Sequence, residues 1–123
     1  MNLRGRLGRR GEHLAGRHLQ RLGGRIVARN YRCPQGEIDL IVLLGDTLVF
    51  VEVKTRTAGD GGQPEEPVQW TQRRRIERAA RYFVRQHHLE HRPCRFDVVC
   101  VFWPQGGRPV LEHFENAFPV VSS

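Results

Sequence analysis

Residues 36–54 read GEIDLIVLLGDTLVFVEVK, and this stretch decides the fold class. Two runs rich in Val, Ile and Leu, Ile38–Leu44 and Leu48–Lys54, lie on either side of the turn residues Gly45-Asp46-Thr47. Apolar residues on both faces of each run indicate strands that are covered on both sides, and the glycine between them indicates a tight turn. The stretch therefore predicts a buried β-hairpin in the middle of a sheet.

Two amphipathic helices and three further strands are predicted around this hairpin. Apolar residues recur with helical period from Leu7 to Leu22, where Gly23-Gly24 ends the segment, and again from Ile76 to His87. The remaining strand candidates are Arg25–Arg29, Phe96–Trp103 and Val110–Phe114, with a loop predicted over Asn30–Gly36. The order α, β, β-hairpin, α, β, β predicts an α/β fold in which helices flank a mixed central sheet.

Length and composition predict one domain over residues 1–123. Residues 57–70 hold the densest cluster of Gly, Asp and Pro, so we expect a mobile loop there. No apolar run reaches the roughly 18 residues that a membrane helix needs, so no membrane partner is expected. Three cysteines without a Cys-x-x-Cys pair favour reduced thiols and hence a cytoplasmic protein.

The charge of the chain indicates a nucleic-acid partner. Lys and Arg together number 20 against 13 Asp and Glu, which gives a formal net charge of +7. Two groups of arginines are candidate phosphate contacts: Arg73, Arg74 and Arg75 at the start of the second predicted helix, and Arg9 and Arg10 in the first. A solvated helix face in an arginine-rich protein explains the first group equally well.

Two acids lie inside the hairpin among residues that otherwise predict core. With a two-residue turn at Gly45-Asp46, Asp39 falls opposite Glu52, and Glu37 falls opposite Lys54. A four-residue loop keeps Asp39 and Glu52 on the same face, shifted by one pair, whereas a three-residue loop separates them. Carboxylates directly opposite each other repel and destabilise the strand pair, unless a divalent cation lies between them. Carboxylate and carbonyl oxygens suit Mg²⁺ or Mn²⁺ better than zinc.

Lys54 is the single lysine among the 20 basic residues, and it shares a face of its strand with Glu52. Its ammonium group can neutralise a phosphate or hold a water, and unlike arginine it can pass a proton. Asp39 followed by Glu-x-Lys on the next strand predicts a metal-dependent phosphodiesterase in which Asp39, Glu52 and Lys54 are catalytic. The alternative is a salt bridge at a strand end, from Glu52 to Lys54 or to a nearby arginine.

Two further acids have separate interpretations. Glu12 lies at the edge of the apolar stripe of the first predicted helix, three residues before Ala15 and seven before Leu19. There it can point at the hairpin as an outer metal ligand, or it can be a solvated acid near a helix start. Asp97 is expected to pair with an arginine near the core and not to act in catalysis.

Three segments, Gly36–Ile41, Leu48–Arg56 and Arg95–Val99, resemble the bacterial YraN family of predicted endonucleases. The resemblance extends from Gly11 to Phe118. That family belongs with the restriction-endonuclease-like nucleases, which include archaeal Holliday-junction resolvases. The resemblance therefore implies a restriction-endonuclease-like fold, with an Asp, a spacer and Glu-x-Lys as its signature.

Roles for individual residues follow from the same resemblance. It implies that Asp39 and Glu52 are metal ligands, that Val53 adds its backbone carbonyl, that Lys54 is the catalytic lysine, and that Glu12 is an additional acid. The expected activity is Mg²⁺- or Mn²⁺-dependent hydrolysis of phosphodiester bonds in nucleic acid, DNA more than RNA, with branched or flapped DNA as a suggested substrate. The alternative is a nucleic-acid-binding module of the same fold that does not cleave. A homodimer is left open.

Overall fold

The computed structural model describes residues 3–58 and 70–118. In chain order its elements are α1 (Leu3–Arg21), β1 (Arg25–Cys33), β2 (Gly36–Leu44), β3 (Thr47–Thr57), α2 (Trp70–Gln86), β4 (Cys94–Trp103) and β5 (Val110–Phe118). This order confirms the predicted succession of helices and strands. The interior of the predicted mobile loop, residues 59–69, lies outside the described residues. Neither of the two described helices is long and apolar enough to cross a membrane.

All five strands belong to one sheet, in the order β1-β2-β3-β4-β5. β3 and β4 run parallel and are connected through α2, whereas every other pair of neighbours is antiparallel. The predicted hairpin register is confirmed, because Leu44 pairs with Thr47 and the pairing continues in step to Leu40 with Val51. β3 is therefore the central strand, with a partner along both edges.

One helix covers each face of the sheet. Phe50 and Ile41 belong to the core cluster that packs against α2, whereas Val49 and Val51 belong to the cluster that packs against α1. This double coverage explains why the hairpin strands are apolar throughout and do not alternate with polar residues. A mixed sheet between two helices confirms the predicted α/β class and is consistent with a restriction-endonuclease-like fold.

Glycines determine how closely α1 approaches the sheet and where the helix ends. A Cβ added at Gly11 would lie 2.5 Å from Oγ1 of Thr55, so only glycine lets α1 approach β3 this closely. The helix ends as predicted, because Gly23 has a φ of 97° and the N–H of Gly24 donates to the carbonyl of Leu19 at 2.9 Å.

The loop predicted over Asn30–Gly36 is wrong, because β1 continues to Cys33 and pairs there with Gly36. The Tyr31 ring packs edge-on against Phe83 of α2, with centroids 5.2 Å apart, and this apolar contact extends the strand. Asn30 adopts a φ of 49°, a conformation that asparagine tolerates better than most residues. The alternation of exposed and partly buried side chains shifts by one residue at Asn30, and the strand continues beyond it.

β4 carries a fully buried acid, Asp97, whose charge is satisfied within the fold. Arg95 donates two hydrogen bonds to it, at 2.9 and 3.0 Å, and the backbone N–H of Asn116 donates a third at 3.0 Å. His113 Nε2 lies 2.8 Å from Oδ2 of Asp97. Burial by itself would raise the pKa of Asp97, but these hydrogen bonds outweigh it and hold the pKa below its ordinary value. The expected pairing with an arginine is confirmed.

Asp97→Ala should lower the free energy of unfolding by about 3 kcal/mol, because it leaves buried donors without an acceptor and Arg95 without its main partner. Glu115→Gln is the matched control. Glu115 lies 3.6 Å from the same Arg95 but its side chain is 60% exposed, so the change should be below about 1 kcal/mol. Urea unfolding measures both variants, and equal losses would contradict a special role for the buried carboxylate.

Candidate active site

β2 and β3 cease to pair at Asp39, where a hydrogen bond to a side chain replaces the backbone hydrogen bonds of the ladder. The described ladder ends with Leu40 and Val51. Beyond it, the N–H of Val53 donates to Oδ2 of Asp39 at 2.8 Å. The carboxylate replaces the carbonyl that a continued β2 would have offered, so this N–H keeps an acceptor.

The predicted pairing of Glu37 with Lys54 is absent from the described ladder. By this point β2 has left β3 and remains paired with β1, where Glu37 lies opposite Arg32. Oε2 of Glu37 lies 3.2 Å from Nε of Arg32, and both side chains are largely exposed. Glu37 is thus a surface acid near the cluster, and its negative charge raises the pKa values of Asp39 and Glu52 slightly further.

The structure brings Asp39 and Glu52 together. Glu52 is only 9% exposed. Burial raises the pKa of Glu52, and the neighbouring charge of Asp39 adds to this rise, so that the pKa reaches about 8. Burial also raises the pKa of Asp39, although its hydrogen bonds with Val53 and Glu52 partly oppose the rise. Near neutral pH, Glu52 therefore keeps a proton and donates it in a hydrogen bond to Asp39.

A glutamine from α2 joins Glu52 to Lys54. Nζ of Lys54 donates to Oε1 of Gln72 at 2.9 Å, and Nε2 of Gln72 donates to Oε1 of Glu52 at 2.8 Å. The amide therefore holds both side chains of the Glu-x-Lys motif on the α2 face of β3. Sequence reasoning missed Gln72, because a polar residue in the first turns of a helix has no feature that distinguishes it from a solvated one.

Glu12 approaches the cluster from α1, on the other side of the sheet. Burial and the charge of Asp39 raise its pKa, whereas a hydrogen bond with the side chain of Asn30 lowers it. Within residues 3–58 and 70–118, no three His, Cys, Asp or Glu side chains form a group that could hold a metal ion. Glu12 therefore does not complete a three-acid cage here, and its role as an additional ligand stays a prediction.

The two carboxylates nonetheless fit a hard divalent cation. Mg²⁺ is commonly held by one or two carboxylates, with water and substrate phosphate filling its remaining positions. Asp39 and Glu52 supply two carboxylates, and the backbone carbonyl of Val53 is the third oxygen that the resemblance to the YraN family implies. Burial raises the pKa values of both acids, and a cation there would neutralise both charges.

The predicted arginine triplet does not form one surface. Arg75 lines a cavity of about 300 Å³ that opens beside Glu52 and Gln72. Arg74 is exposed, and the guanidinium of Arg73 lies over the ring of Phe118, 5.3 Å from its centroid. Arg75 is thus the member of the triplet that lies beside the acids.

The other predicted pair, Arg9 and Arg10, lies on the α1 side. Arg9 is close enough to Glu12 for its charge to lower the pKa of that acid. Arg10 places its guanidinium over the ring of Trp103, 4.6 Å from the centroid. Positive charge therefore borders the acidic residues on both faces of the sheet.

Comparison of the sequence with those of known proteins places this chain in a family. Residues 11–101 match the model described as "Uncharacterised protein family UPF0102". A UPF0102 protein of Pelotomaculum thermopropionicum is 43% identical over 113 residues, which cover 91% of this chain and 94% of the relative. The chain belongs to the UPF0102 family. A UPF0102 protein of Nocardia farcinica is 46% identical over 112 residues, covering 91% and 88% of the two chains.

The family assignment confirms the resemblance to the YraN proteins. The UPF0102 description names no activity, so the chemistry of the site has to be argued from its residues. Glu12, Asp39, Glu52, Lys54 and Gln72 all lie within the matched range 11–101. The acidic cluster and its bridging amide thus belong to the part of the chain that the family model matches.

In this UPF0102 protein, Glu52→Gln should stabilise the metal-free fold at high pH. Folding raises the pKa of Glu52 from 4.5 to about 8, so the folded state keeps a proton that the unfolded state releases. Stability is therefore lost as the pH rises through that interval, and a glutamine, which does not titrate, avoids the loss.

Urea unfolding in EDTA at about pH 5 and about pH 9 measures this effect. The wild type should lose more stability over the interval than Glu52→Gln does. Glu112→Gln, which removes an exposed acid from β5, should follow the wild type. Parallel curves for the wild type and Glu52→Gln would contradict a costly buried charge at Glu52.

Millimolar Mn²⁺ should raise the melting temperature, since a cation that binds the folded state stabilises it by mass action. Asp39→Asn should abolish this rise, whereas Asp46→Asn, in the hairpin turn, should preserve it. Thermal melts with Mn²⁺, with Mg²⁺ and with EDTA measure the shift. A wild-type melt that is indifferent to both cations would count against a metal site at Asp39 and Glu52.

Proposed function

We propose that this UPF0102 protein is a Mg²⁺- or Mn²⁺-dependent nuclease that hydrolyses phosphodiester bonds of DNA, with branched or flapped DNA as the first substrates to test. One observation carries the proposal: Asp39 and Glu52 lie together, Glu52 only 9% exposed, and Gln72 joins Glu52 to Lys54. Binding of DNA alone does not require such a cluster, because acids beside a phosphate oppose its binding.

The residues of the cluster have distinct chemical tasks under this proposal. A divalent cation held by Asp39, Glu52 and the carbonyl of Val53 would polarise the scissile phosphate and activate a water. Lys54 would neutralise charge that develops on the phosphate and can also transfer a proton. Gln72 would act as a positioning residue, since it fixes Nζ of Lys54 relative to the carboxylate of Glu52.

Nucleic acid as the partner is supported by the charge of the chain and its placement. The formal net charge is +7. Arg75 lies beside Glu52 and Arg9 lies close to Glu12, so a phosphate backbone crossing the acids would meet cations on either side. A cytoplasmic location is part of the proposal, and it accords with three cysteines that form no disulfide.

A non-catalytic DNA-binding module of the same fold is the second candidate. The hydrogen bonds of Gln72 with both Glu52 and Lys54 favour this candidate, because these side chains then have partners within the protein. It is also favoured by the lack of a three-acid metal group within the described ranges. This candidate predicts binding without cleavage under every metal condition.

Incubation of the purified protein with end-labelled branched, flapped, single-stranded and duplex DNA tests the proposal. We expect at least one DNA to be cut with Mn²⁺ or Mg²⁺ and none to be cut in EDTA. Asp39→Asn should abolish cleavage and keep DNA binding, whereas Asp46→Asn should cut as the wild type does. Binding of all substrates with no cleavage by the wild type would favour the binding module.

Lys54→Arg should lower the rate of cleavage by a factor on the order of 10² and leave DNA affinity nearly unchanged. Arginine keeps the charge, but it does not release a proton in the accessible pH range, and its planar group cannot take the place of a compact ammonium. Arg25→Lys, the reverse change at an exposed position, is the control. Cleavage by Lys54→Arg within a few-fold of the wild type would mean that Lys54 supplies charge alone.

A further inference from the structure

A second cavity, of about 500 Å³, lies on the α1 face of the sheet. Arg6, Arg9, Arg10 and His13 of α1 line one side of it, and Trp103 of β4 lines the other. We name it the Arg10–Trp103 cavity. The described residues that line it include no acid, so its charge is positive and suits an anionic ligand.

The aromatic part of this cavity suits a planar ligand as well as a phosphate. The guanidinium of Arg10 lies 4.6 Å from the centroid of the Trp103 ring. Guanidinium and indole groups are both surfaces on which nucleic-acid bases stack. The cavity thus combines cations and a stacking surface.

The contact of α1 with β3 ties this cavity to the acidic cluster. Gly11 lies directly against Thr55, and its two neighbours along α1 take part in different sites. Arg10 reaches Trp103, whereas Glu12 bonds to Asn30 and is close enough to Asp39 for that charge to raise its pKa. One turn of helix therefore borders both the cavity and the acids.

The sheet register gives the separation, measured along the strands, between Lys54 at the acidic cluster and Trp103 in the cavity. Lys54 pairs with Cys100, and Thr57 pairs with Trp103. Three residues of extended strand, about 10 Å, separate these two rungs. This spacing is measured along the strands only, because Lys54 lies on the α2 face of the sheet and Trp103 on the α1 face. A DNA strand that reaches both places therefore also passes from one side of the sheet to the other.

We propose that the Arg10–Trp103 cavity binds an unpaired nucleotide of the DNA strand that crosses the acidic cluster. The substrate then has a single-stranded segment next to the cleaved bond. The position of the cleaved bond rests on the proposed nuclease function, whereas the nucleotide site itself does not. A fully paired duplex keeps its bases inside the stack and cannot fill the cavity.

Tryptophan fluorescence tests the site without any cleavage. The chain has two tryptophans, so Trp70→Phe leaves Trp103 as the sole emitter. In EDTA, an oligodeoxythymidylate of about 12 nucleotides should quench this emission. A blunt duplex and an abasic oligomer with the same number of phosphates should not. Equal quenching by the abasic oligomer would overturn the proposal, because the cavity would then recognise phosphate alone.

Affinity measurements on Trp103→Leu give the second test. The affinity for the thymidylate oligomer should fall at least about fivefold, while affinities for the duplex and the abasic oligomer stay within about twofold. Trp103→Phe should recover most of the loss. Phe102→Leu is the matched control, because Phe102 is the adjacent aromatic on the opposite face of β4 and is 40% exposed. An equal loss for Phe102→Leu, or for the duplex, would overturn the proposal.

A second pair of variants keeps the test decisive if Trp103→Leu does not fold. Arg10→Gln removes the exposed cation over the indole, and Arg17→Gln removes an exposed arginine of α1 that does not line the cavity. The first change should weaken binding of the thymidylate oligomer several-fold more than the second does. Equal effects would overturn the proposal.

Cleavage assays separate this proposal from the nuclease proposal. If the wild type cuts no DNA but the thymidylate oligomer still depends on Trp103, the nucleotide site stands and the nuclease proposal fails. If the wild type cuts flapped DNA and Trp103→Leu cuts it equally fast below saturation, the nuclease proposal stands and the nucleotide site is overturned.

Discussion

The hydrogen bond from the N–H of Val53 to the carboxylate of Asp39 is the interaction on which the candidate site depends. A buried N–H without an acceptor costs about 1–3 kcal/mol, and the partly buried N–H of Val53 would bear part of this cost if β2 left β3 without a substitute. Asp39 supplies one at 2.8 Å. Asp39 lies beside Glu52 at this point, and it is close enough to Glu12 of α1 for its charge to raise the pKa of that acid. The acidic cluster therefore forms where a strand pair ends, and the acid that ends it is itself part of the cluster.

Two buried acids on neighbouring strands, Asp97 and Glu52, have pKa values shifted in opposite directions. Asp97 accepts hydrogen bonds from Arg95 and the backbone of Asn116, and its pKa lies below the ordinary value. Glu52 is almost as buried but faces another carboxylate, and its pKa rises to about 8. Asp97 is satisfied by groups of the fold itself and needs no ligand. Glu52 is instead a buried acid with a strongly raised pKa, which is typical of a functional group.

Much of the fold and the centre of the site were predictable from local pattern. The apolar runs and the Gly45-Asp46 turn predicted the hairpin and the register that it keeps as far as Leu40 with Val51. Asp39 and Glu52, which that register predicted to meet, interact just beyond the last pair. The loop at Asn30–Gly36 was mispredicted because two features outweigh its turn residues. Tyr31 has an aromatic partner on α2, and Asn30 takes a left-handed conformation. Both depend on contacts with residues that are distant in sequence.

By itself, the sequence determined which residues can carry chemistry. It set the alternation of side chains between the two faces of each strand and the spacing of Glu52 and Lys54, because both follow from periodicity. It also set the excess of arginine, which is a matter of composition. The tertiary structure decided which groups meet. Gln72 comes from a helix 18 residues beyond Lys54 to bind it, and Arg10 reaches Trp103 from the other end of the chain. Such contacts depend on how helices pack across a sheet, and local spacing does not encode that packing.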